Sequence, residues 1–134
     1  VEDGQVRAAL LQYVSSTGEV RFSQIQKDFQ PHVETGGEFG LALRWDPHVV
    51  LWEGMSAEIA APLGKLISDR KLYIHSVEAT TYDGEADQIT LPRLPAMPDN
   101  RVSRASWLPV AVSPVSPDEV DERLCRVARM KLSR

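Results

Sequence analysis

Apolar residues in the middle of the chain recur first at helical spacing and then at strand spacing. Ser56 can cap a helix, and Pro62 within it favours a kink or a new helix start. The apolar face of this helix is formed by Ile59, Leu63, Leu66 and Ile67. Residues 72–75 then alternate as a strand does, residues 82–84 supply a turn, and residues 88–91 can return as the partner strand. The pattern predicts a helix followed by a two-stranded hairpin.

Two shorter helices are predicted before this segment. Residues 3–15 carry one apolar stripe, formed by Val6, Leu10, Leu11 and Val14. Residues 20–22 alternate as a short strand would, and Ser23 opens a second helix in which Gln26 completes a capping box. Pro31 ends this helix, because proline cannot donate the backbone hydrogen bond that a helix needs.

An insertion, residues 31–54, separates the second helix from the third. Large apolar and small residues alternate from Phe39 to Trp45, which is typical of a strand, and Val49–Trp52 is an apolar run. The insertion is therefore either a hairpin of its own or a segment in which Val49–Trp52 lies as a short helix or strand against the core. We expect Trp45 and Trp52 to hold it in an ordered position.

Two further segments follow the hairpin. Prolines recur between residues 92 and 114 and predict an extended arm over residues 95–115, in which the apolar residues 107–112 pack against the core. Ser116 can cap a last helix over residues 116–134, whose acidic start and basic end complement the helix dipole. The stripe of that helix is Val120, Leu124, Val127, Ala128 and Leu132.

The order of these elements resembles that of the winged-helix superfamily. Over residues 4–94 the chain offers a helix, a glycine-containing turn, the lead-in Val20-Arg21-Phe22-Ser23, a short second helix, a third helix and a hairpin. The resemblance implies an α+β fold within one domain of residues 1–134. This fold is a winged-helix-like core of three helices and a hairpin, extended by the insertion 31–54, the arm 95–115 and the helix 116–134. It also implies that the third helix enters the DNA major groove and that the hairpin loop touches the DNA backbone or minor groove.

The composition is that of a globular domain. The 134 residues are 43% hydrophobic and 25% charged, which is enough to bury a core. No apolar run approaches the ~20 residues that cross a bilayer, and no signal-peptide pattern is present, so we expect no membrane association. The single cysteine, Cys125, is typical of a reducing compartment and predicts a cytoplasmic protein. The net charge of −4 argues mildly against DNA binding, since phosphate-binding domains usually carry a basic surface.

The candidate DNA contacts are the basic residues Lys65, Arg70, Lys71, Arg123, Arg126 and Arg129. The first half of the third helix, residues 57–61, has no Arg, Lys, Asn or Gln to pair with base edges. The predicted hairpin tip, residues 78–87, has four acidic residues and no basic one. We therefore expect DNA binding to depend mainly on the three arginines of the last helix. A continuous basic stripe that joins the candidates would favour DNA as the ligand; the alternative is a solvated helix face.

Two functions follow from these observations. No catalytic or metal-binding motif is present, and His32, His48 and His75 are scattered, so we expect a protein without enzymatic activity, metal or cofactor. The first function is a DNA-associated regulatory or accessory protein that binds double-stranded DNA. The second is a protein-interaction module on the same scaffold, which binds a partner through the insertion or the acidic tip, or forms a homodimer through the last helix.

Overall fold

The computed structural model describes residues 3–131, and over this range the chain forms a mixed α+β fold, as predicted. The helices are α1 (Asp3–Thr17), α2 (Phe22–Phe29) and α3 (Ala57–Ser68). The strands are β1 (Gly36–Leu43), β2 (Val49–Met55), β3 (Tyr73–Ser76), β4 (Ser106–Trp107), β5 (Val110–Ser113) and β6 (Val127–Lys131). Short 3₁₀ turns lie at Ala79–Tyr82 and Glu122–Leu124.

The strands form two sheets. In the larger sheet the order is β4–β2–β1–β6, where β1 is antiparallel to both β2 and β6, and β4 is parallel to β2. In the smaller sheet β3 is antiparallel to β5. Val20 pairs with the other side of β5, since it exchanges two backbone hydrogen bonds of 2.8 Å with Val112.

α3 packs on one face of the larger sheet and is continuous through Pro62, so of the two alternatives at this proline the new helix start is wrong. Gly64 allows a close approach, because a Cβ there would lie 3.1 Å from Leu41 Cδ2 and 3.8 Å from Val127 Cγ2. At the end of α3, the Ser68 hydroxyl donates to the carbonyl oxygen of Val127 at 3.1 Å and accepts from its N–H at 3.2 Å. These bonds fix the end of α3 to β6.

The core lies between the helices and the larger sheet. Leu10 of α1, Phe29 of α2 and Leu66 of α3 are only 0%, 8% and 3% exposed, so each of the three helices turns an apolar face into the core. Aromatic rings whose neighbouring centroids are 4.9–6.2 Å apart fill its centre, and they belong to Phe22, Trp52, Tyr82 and Trp107. Such offset and edge-to-face pairs add to the stabilisation that burial alone provides.

The insertion forms the β1–β2 hairpin, and Gln26 of α2 anchors it. Trp52 Nε1 donates to Gln26 Oε1 at 2.8 Å, and Gln26 Nε2 donates to the carbonyl oxygens of Thr35 at 3.0 Å and Gly54 at 2.9 Å. The predicted capping box is wrong, because α2 begins before Ser23 and the Gln26 side chain makes these tertiary bonds instead. The prediction that the insertion is ordered against the core is confirmed, with Trp52 fully buried.

The predicted hairpin of residues 72–91 is wrong in its second strand. The partner of β3 is β5, and residues 88–91, all within the described chain, form no strand. The segment between β3 and β5 instead buries Tyr82. The Tyr82 hydroxyl accepts the N–H of Phe22 at 3.0 Å and donates to the carbonyl oxygen of Val110 at 2.8 Å. β5 is apolar and almost wholly buried, whereas residues 88–91 alternate with polar side chains. Pairing with β5 therefore removes more apolar surface from water.

The helix predicted over residues 116–134 is also wrong. Over residues 116–131 the chain forms a 3₁₀ turn and then β6, while residues 132–134 lie outside the described residues. From Ala128 onward the apolar positions of the sequence, 128, 130 and 132, also fit strand alternation, and Val127 is buried against α3. Pairing with β1 satisfies backbone groups and covers the sheet edge, whereas a lone surface helix is only marginally stable in water.

The arm predicted at residues 95–115 is irregular only in its first part. Its second part holds β4 and β5, which confirms that residues 107–112 pack against the core. The buried Asp46 carboxylate accepts from the backbone N–H of His48 at 3.0 Å and of Val102 at 2.7 Å, which fixes the irregular part to the β1–β2 turn. No helix within residues 3–131 combines the length and apolarity needed to cross a membrane.

Candidate nucleic-acid interface

α3, the helix expected to read DNA, is buried on both sides. α1 lies along one side of it, and β1 and β6 cover the other. Of its 12 residues only Glu58 and Lys65 are exposed. Residues 57–61 therefore present no polar side chain that matches a base edge. The β1–β2 hairpin and β6 occupy the space that a DNA groove would need.

Residues 78–87, the acidic segment, lie at the β4 edge of the larger sheet. Tyr82 places them there, because its ring packs against Trp107 of β4 with centroids 5.8 Å apart. Glu85 forms an ion pair with Arg21, with 2.8 Å between Oε1 and Nε. The remaining carboxylates of the segment are exposed, and they belong to Glu78, Asp83 and Asp87. These exposed carboxylates disfavour phosphate binding at this end of the molecule.

At the opposite edge of the sheet, a groove of about 510 Å³ runs between α3 and β6. Arg44, Lys65 and Arg129 line it, over a floor of small residues that includes Ala60, Ala61, Gly64 and Ala128. The Arg129 guanidinium lies 5.0 Å from the centre of the Phe39 ring, a cation–π distance. Lys65 Nζ is 3.0 Å from a carboxylate oxygen of Asp69, but both side chains are exposed, so water screens this pair.

A second cleft, of about 410 Å³, adjoins the groove and shares Arg44 with it. Its lining is Arg44, Trp45, Glu122, Arg123 and Arg126. Because Arg44 lines both spaces, it connects Lys65 and Arg129 of the groove with Arg126 of the cleft. We call this surface the basic face and define it by the exposed residues Arg44, Lys65, Arg126 and Arg129.

Arg123, one of the predicted DNA contacts, is bound within the protein. Its guanidinium makes two hydrogen bonds to the Asp121 carboxylate, at 2.9 and 2.7 Å, and one to the carbonyl oxygen of Pro98, at 2.9 Å. The charge-assisted bonds from Arg123 hold the pKa of the Asp121 carboxyl below its ordinary value. Arg123 therefore offers little free charge to a phosphate.

The other predicted contacts divide into two groups. Lys65 and Arg129 line the groove and Arg126 lines the cleft, with Arg44 shared between the two spaces. Arg70, which follows α3 with a positive φ of 59°, forms an ion pair with Glu122, and Lys71 is exposed on the next turn. Neither lines the groove or the cleft. The continuous stripe that would join all six candidates is therefore not formed, because Arg70 and Lys71 lie outside both spaces and Arg123 is paired with Asp121.

Arg44 was not among the residues that the sequence singles out. It directly follows β1, where its backbone N–H donates to the carbonyl oxygen of Arg126 at 3.1 Å and its Nε donates to that of Val127 at 3.3 Å. Its place beside the C-terminal arginines depends on the pairing of β1 with β6. That pairing was hidden from sequence reasoning once residues 127–131 were assigned to a helix.

Among residues 3–131, neither the cysteine nor the potential metal ligands form a competing site. Cys125 is buried, and desolvation raises the pKa of its thiol, which disfavours the nucleophilic thiolate. Within residues 3–131, no three His, Cys, Asp or Glu side chains converge in a way that could hold a metal ion.

Comparisons of the chain with protein-family models, with curated proteins and with solved structures return no match. The fold and the basic face are therefore interpreted from their own geometry.

Proposed function

We propose that the chain is a winged-helix-type protein with a β-hairpin inserted between its second and third helices. The order α1, Val20, α2, α3, β3 and β5 supports this assignment, because Val20 and β3 pair with opposite sides of β5. In this assignment β5 is the returning strand of the wing. The long segment between Val77 and Pro109, whose ends are joined by a backbone hydrogen bond of 3.0 Å, is the wing itself.

The function that this arrangement supports best is DNA association through the phosphate backbone. The observation that carries it is the position of Arg44, which lines both clefts and unites Lys65 and Arg129 with Arg126 on one face. The acidic segment lies at the other edge of the sheet, so the molecule presents one side to a polyanion. Arginine and lysine contacts to phosphates supply most of the affinity of non-specific DNA binding.

Phosphate contacts position a protein on DNA but do not read its sequence. Since α3 is buried and residues 57–61 lack base-reading side chains, the protein acts as an accessory or regulatory factor without strong sequence preference. It is a non-enzymatic cytoplasmic protein without a cofactor, and its single cysteine fits a reducing compartment.

The test is a titration of labelled duplex DNA at about 50 and about 200 mM salt. The logarithm of the binding constant falls linearly with the logarithm of the salt concentration, and each lost phosphate contact makes this slope less steep by about 0.9. Changing Arg44, Arg126 and Arg129 together to Ala is therefore expected to make the slope less steep by about 2.7 and to abolish measurable binding at the higher salt.

A matched variant controls for the loss of net charge. Lys27, Arg93 and Arg104 are exposed and lie outside both clefts, so changing all three to Ala removes the same charge and is expected to leave the salt slope unchanged. Equal weakening by both triple variants would contradict the assignment to the basic face. If the unmodified protein bound neither double-stranded nor single-stranded DNA, the proposed function itself would be contradicted.

A protein-interaction module is the second candidate, and the exposed carboxylates of the acidic segment favour it. Glu78, Asp83 and Asp87 form a surface that suits a basic protein partner. The homodimer expected through a C-terminal helix loses its basis, because β6 replaces that helix over residues 127–131. Failure of DNA binding would favour this second candidate.

A further inference from the structure

Trp45 is a half-buried aromatic residue in the cleft that it shares with Arg44, Arg123 and Arg126. Two guanidinium groups lie over its ring. The Cζ of Arg123 is 5.1 Å from the ring centre, and the Cζ of Arg101 is 5.4 Å from it. A flat aromatic surface therefore adjoins the cations that are assigned to phosphate binding.

The two guanidinium groups over Trp45 differ in how firmly they are held. Arg123 is fixed by its paired bonds to Asp121 and its bond to Pro98. Arg101 is exposed, and its Nε donates to the carbonyl oxygen of Trp45 at 3.0 Å. Exposed cation–π contacts are weak, so a ligand that stacks better can displace the guanidinium of Arg101.

We infer that Trp45 is a stacking site for one unpaired nucleobase, and that the protein therefore binds single-stranded DNA more tightly than duplex DNA. The base takes the place of the Arg101 guanidinium on the ring, while the flanking phosphates bind Arg44 and Arg126. This inference rests on the proposed function, because phosphate binding brings the base to the cleft.

Single strands and duplexes differ in what they can offer to Trp45. In a duplex the base faces are already stacked and paired, and exposing one costs unpairing energy. In a single strand a base can stack on an aromatic side chain at little cost, and every base has a suitable face. Since no base-reading element of α3 is exposed to compensate, the duplex gains only phosphate contacts.

The first experiment compares the affinity of the same labelled strand before and after annealing. Changing Trp45 to Leu is expected to weaken single-strand binding about 5- to 150-fold, the range that corresponds to loss of one base–aromatic stack, and to leave duplex binding unchanged. Changing Trp45 to Phe keeps an aromatic face and is expected to retain most of the single-strand affinity. The far-ultraviolet circular dichroism of each variant checks that it is folded.

A second pair of variants leaves the Trp45 ring intact. Arg101→Ala removes the group that competes for the ring, and Arg104→Ala removes an exposed charge three residues along the same arm. Relative to Arg104→Ala, Arg101→Ala is expected to bind single strands about two- to fivefold more tightly, which corresponds to the loss of an exposed cation–π contact.

The outcomes distinguish a failure of the stacking site at Trp45 from a failure of the proposed DNA binding. Equal affinity for both forms of DNA, with the triple variant of Arg44, Arg126 and Arg129 still defective, would overturn the stacking site and keep the basic face. A Trp45→Leu variant that weakens both forms equally would overturn the stacking site as well. No binding to either form would overturn the proposed function.

Discussion

Changing Gln26 to Leu tests whether one amide holds the β1–β2 hairpin on α2. In the native protein this side chain accepts the Trp52 indole N–H at 2.8 Å and donates to two backbone carbonyl oxygens at 3.0 and 2.9 Å. Leucine keeps the volume and the apolar stem but makes none of these bonds. The indole of the fully buried Trp52 then loses its acceptor.

The expected cost of this substitution follows from the three bonds. A typical hydrogen bond contributes about 0.5–1.5 kcal/mol net, and a buried donor left without a partner costs about 1–3 kcal/mol. Gln26 is partly exposed, so water can satisfy some of the freed carbonyl groups and the costs do not simply add. We expect Gln26→Leu to lower the free energy of unfolding by about 2–4 kcal/mol, a large share of the stability of a small domain.

Urea denaturation followed by circular dichroism measures this loss, from the shift in midpoint at constant slope. Gln30→Leu is the matched control, because Gln30 is exposed at the end of the same helix, and we expect it to change stability by less than about 0.5 kcal/mol. A loss below about 1 kcal/mol for Gln26→Leu, or equal losses for both variants, would refute the anchoring role.

Three further predictions concern stability. Gly40→Ala would place a Cβ 2.5 Å from a backbone oxygen of β2 and is expected to cost about 1–3 kcal/mol, whereas Gly4→Ala, with nothing within 4 Å, should be neutral or stabilising in the same urea assay. Tyr82→Phe removes a hydroxyl bonded to two buried backbone groups and should cost about 1–3 kcal/mol; no loss would mean that these groups find other partners. The pKa of Asp121 lies below the ordinary 3.8 because of Arg123, so its stabilisation is complete above that pH and is lost as pH falls through the folded-state pKa. Thermal unfolding should therefore show Asp121→Asn less stable than the native protein near neutral pH and equal to it at strongly acidic pH; a constant difference would contradict the pairing.

Local patterns predicted the elements that also make local contacts. The spacing of Val6, Leu10 and Val14 indicated α1, and the Ser56 cap with its apolar stripe indicated α3; the Ser56 hydroxyl does accept the N–H of Ile59. The alternation from Phe39 indicated β1. In α1 and α3 the periodicity selects mostly buried residues, whereas in β1 the alternate positions Gly40 and Ala42 are buried as well.

The two wrong elements are those whose partners are distant in sequence. Residues 88–91 had a turn and an alternating pattern in their favour, but β3 gains a more apolar partner in β5, which begins at Val110. Residues 116–131 had helix-capping residues, but residues 127–131 pair with the edge of β1 instead. A helix exposed to solvent on the surface would be only marginally stable. Tertiary pairing overrides local propensity in both places.

Only part of the candidate site could be predicted from the sequence, because the rest depends on contacts between segments that are distant in the chain. Counting basic residues indicated Arg126 and Arg129, but it could not show that Arg123 is neutralised by Asp121 or that Arg44 completes the face. Both facts depend on strand pairing and side-chain contacts between segments.

The position of DNA on the protein can be mapped through the backbone amides of ¹⁵N-labelled protein during a titration with unlabelled duplex DNA at low salt. We expect the largest chemical-shift changes at Arg44, Trp45, Lys65 and residues 126–131. Changes centred on residues 57–61 or on the acidic segment 78–87 would contradict binding through the basic face. Such changes would show that DNA contacts α3 or the wing.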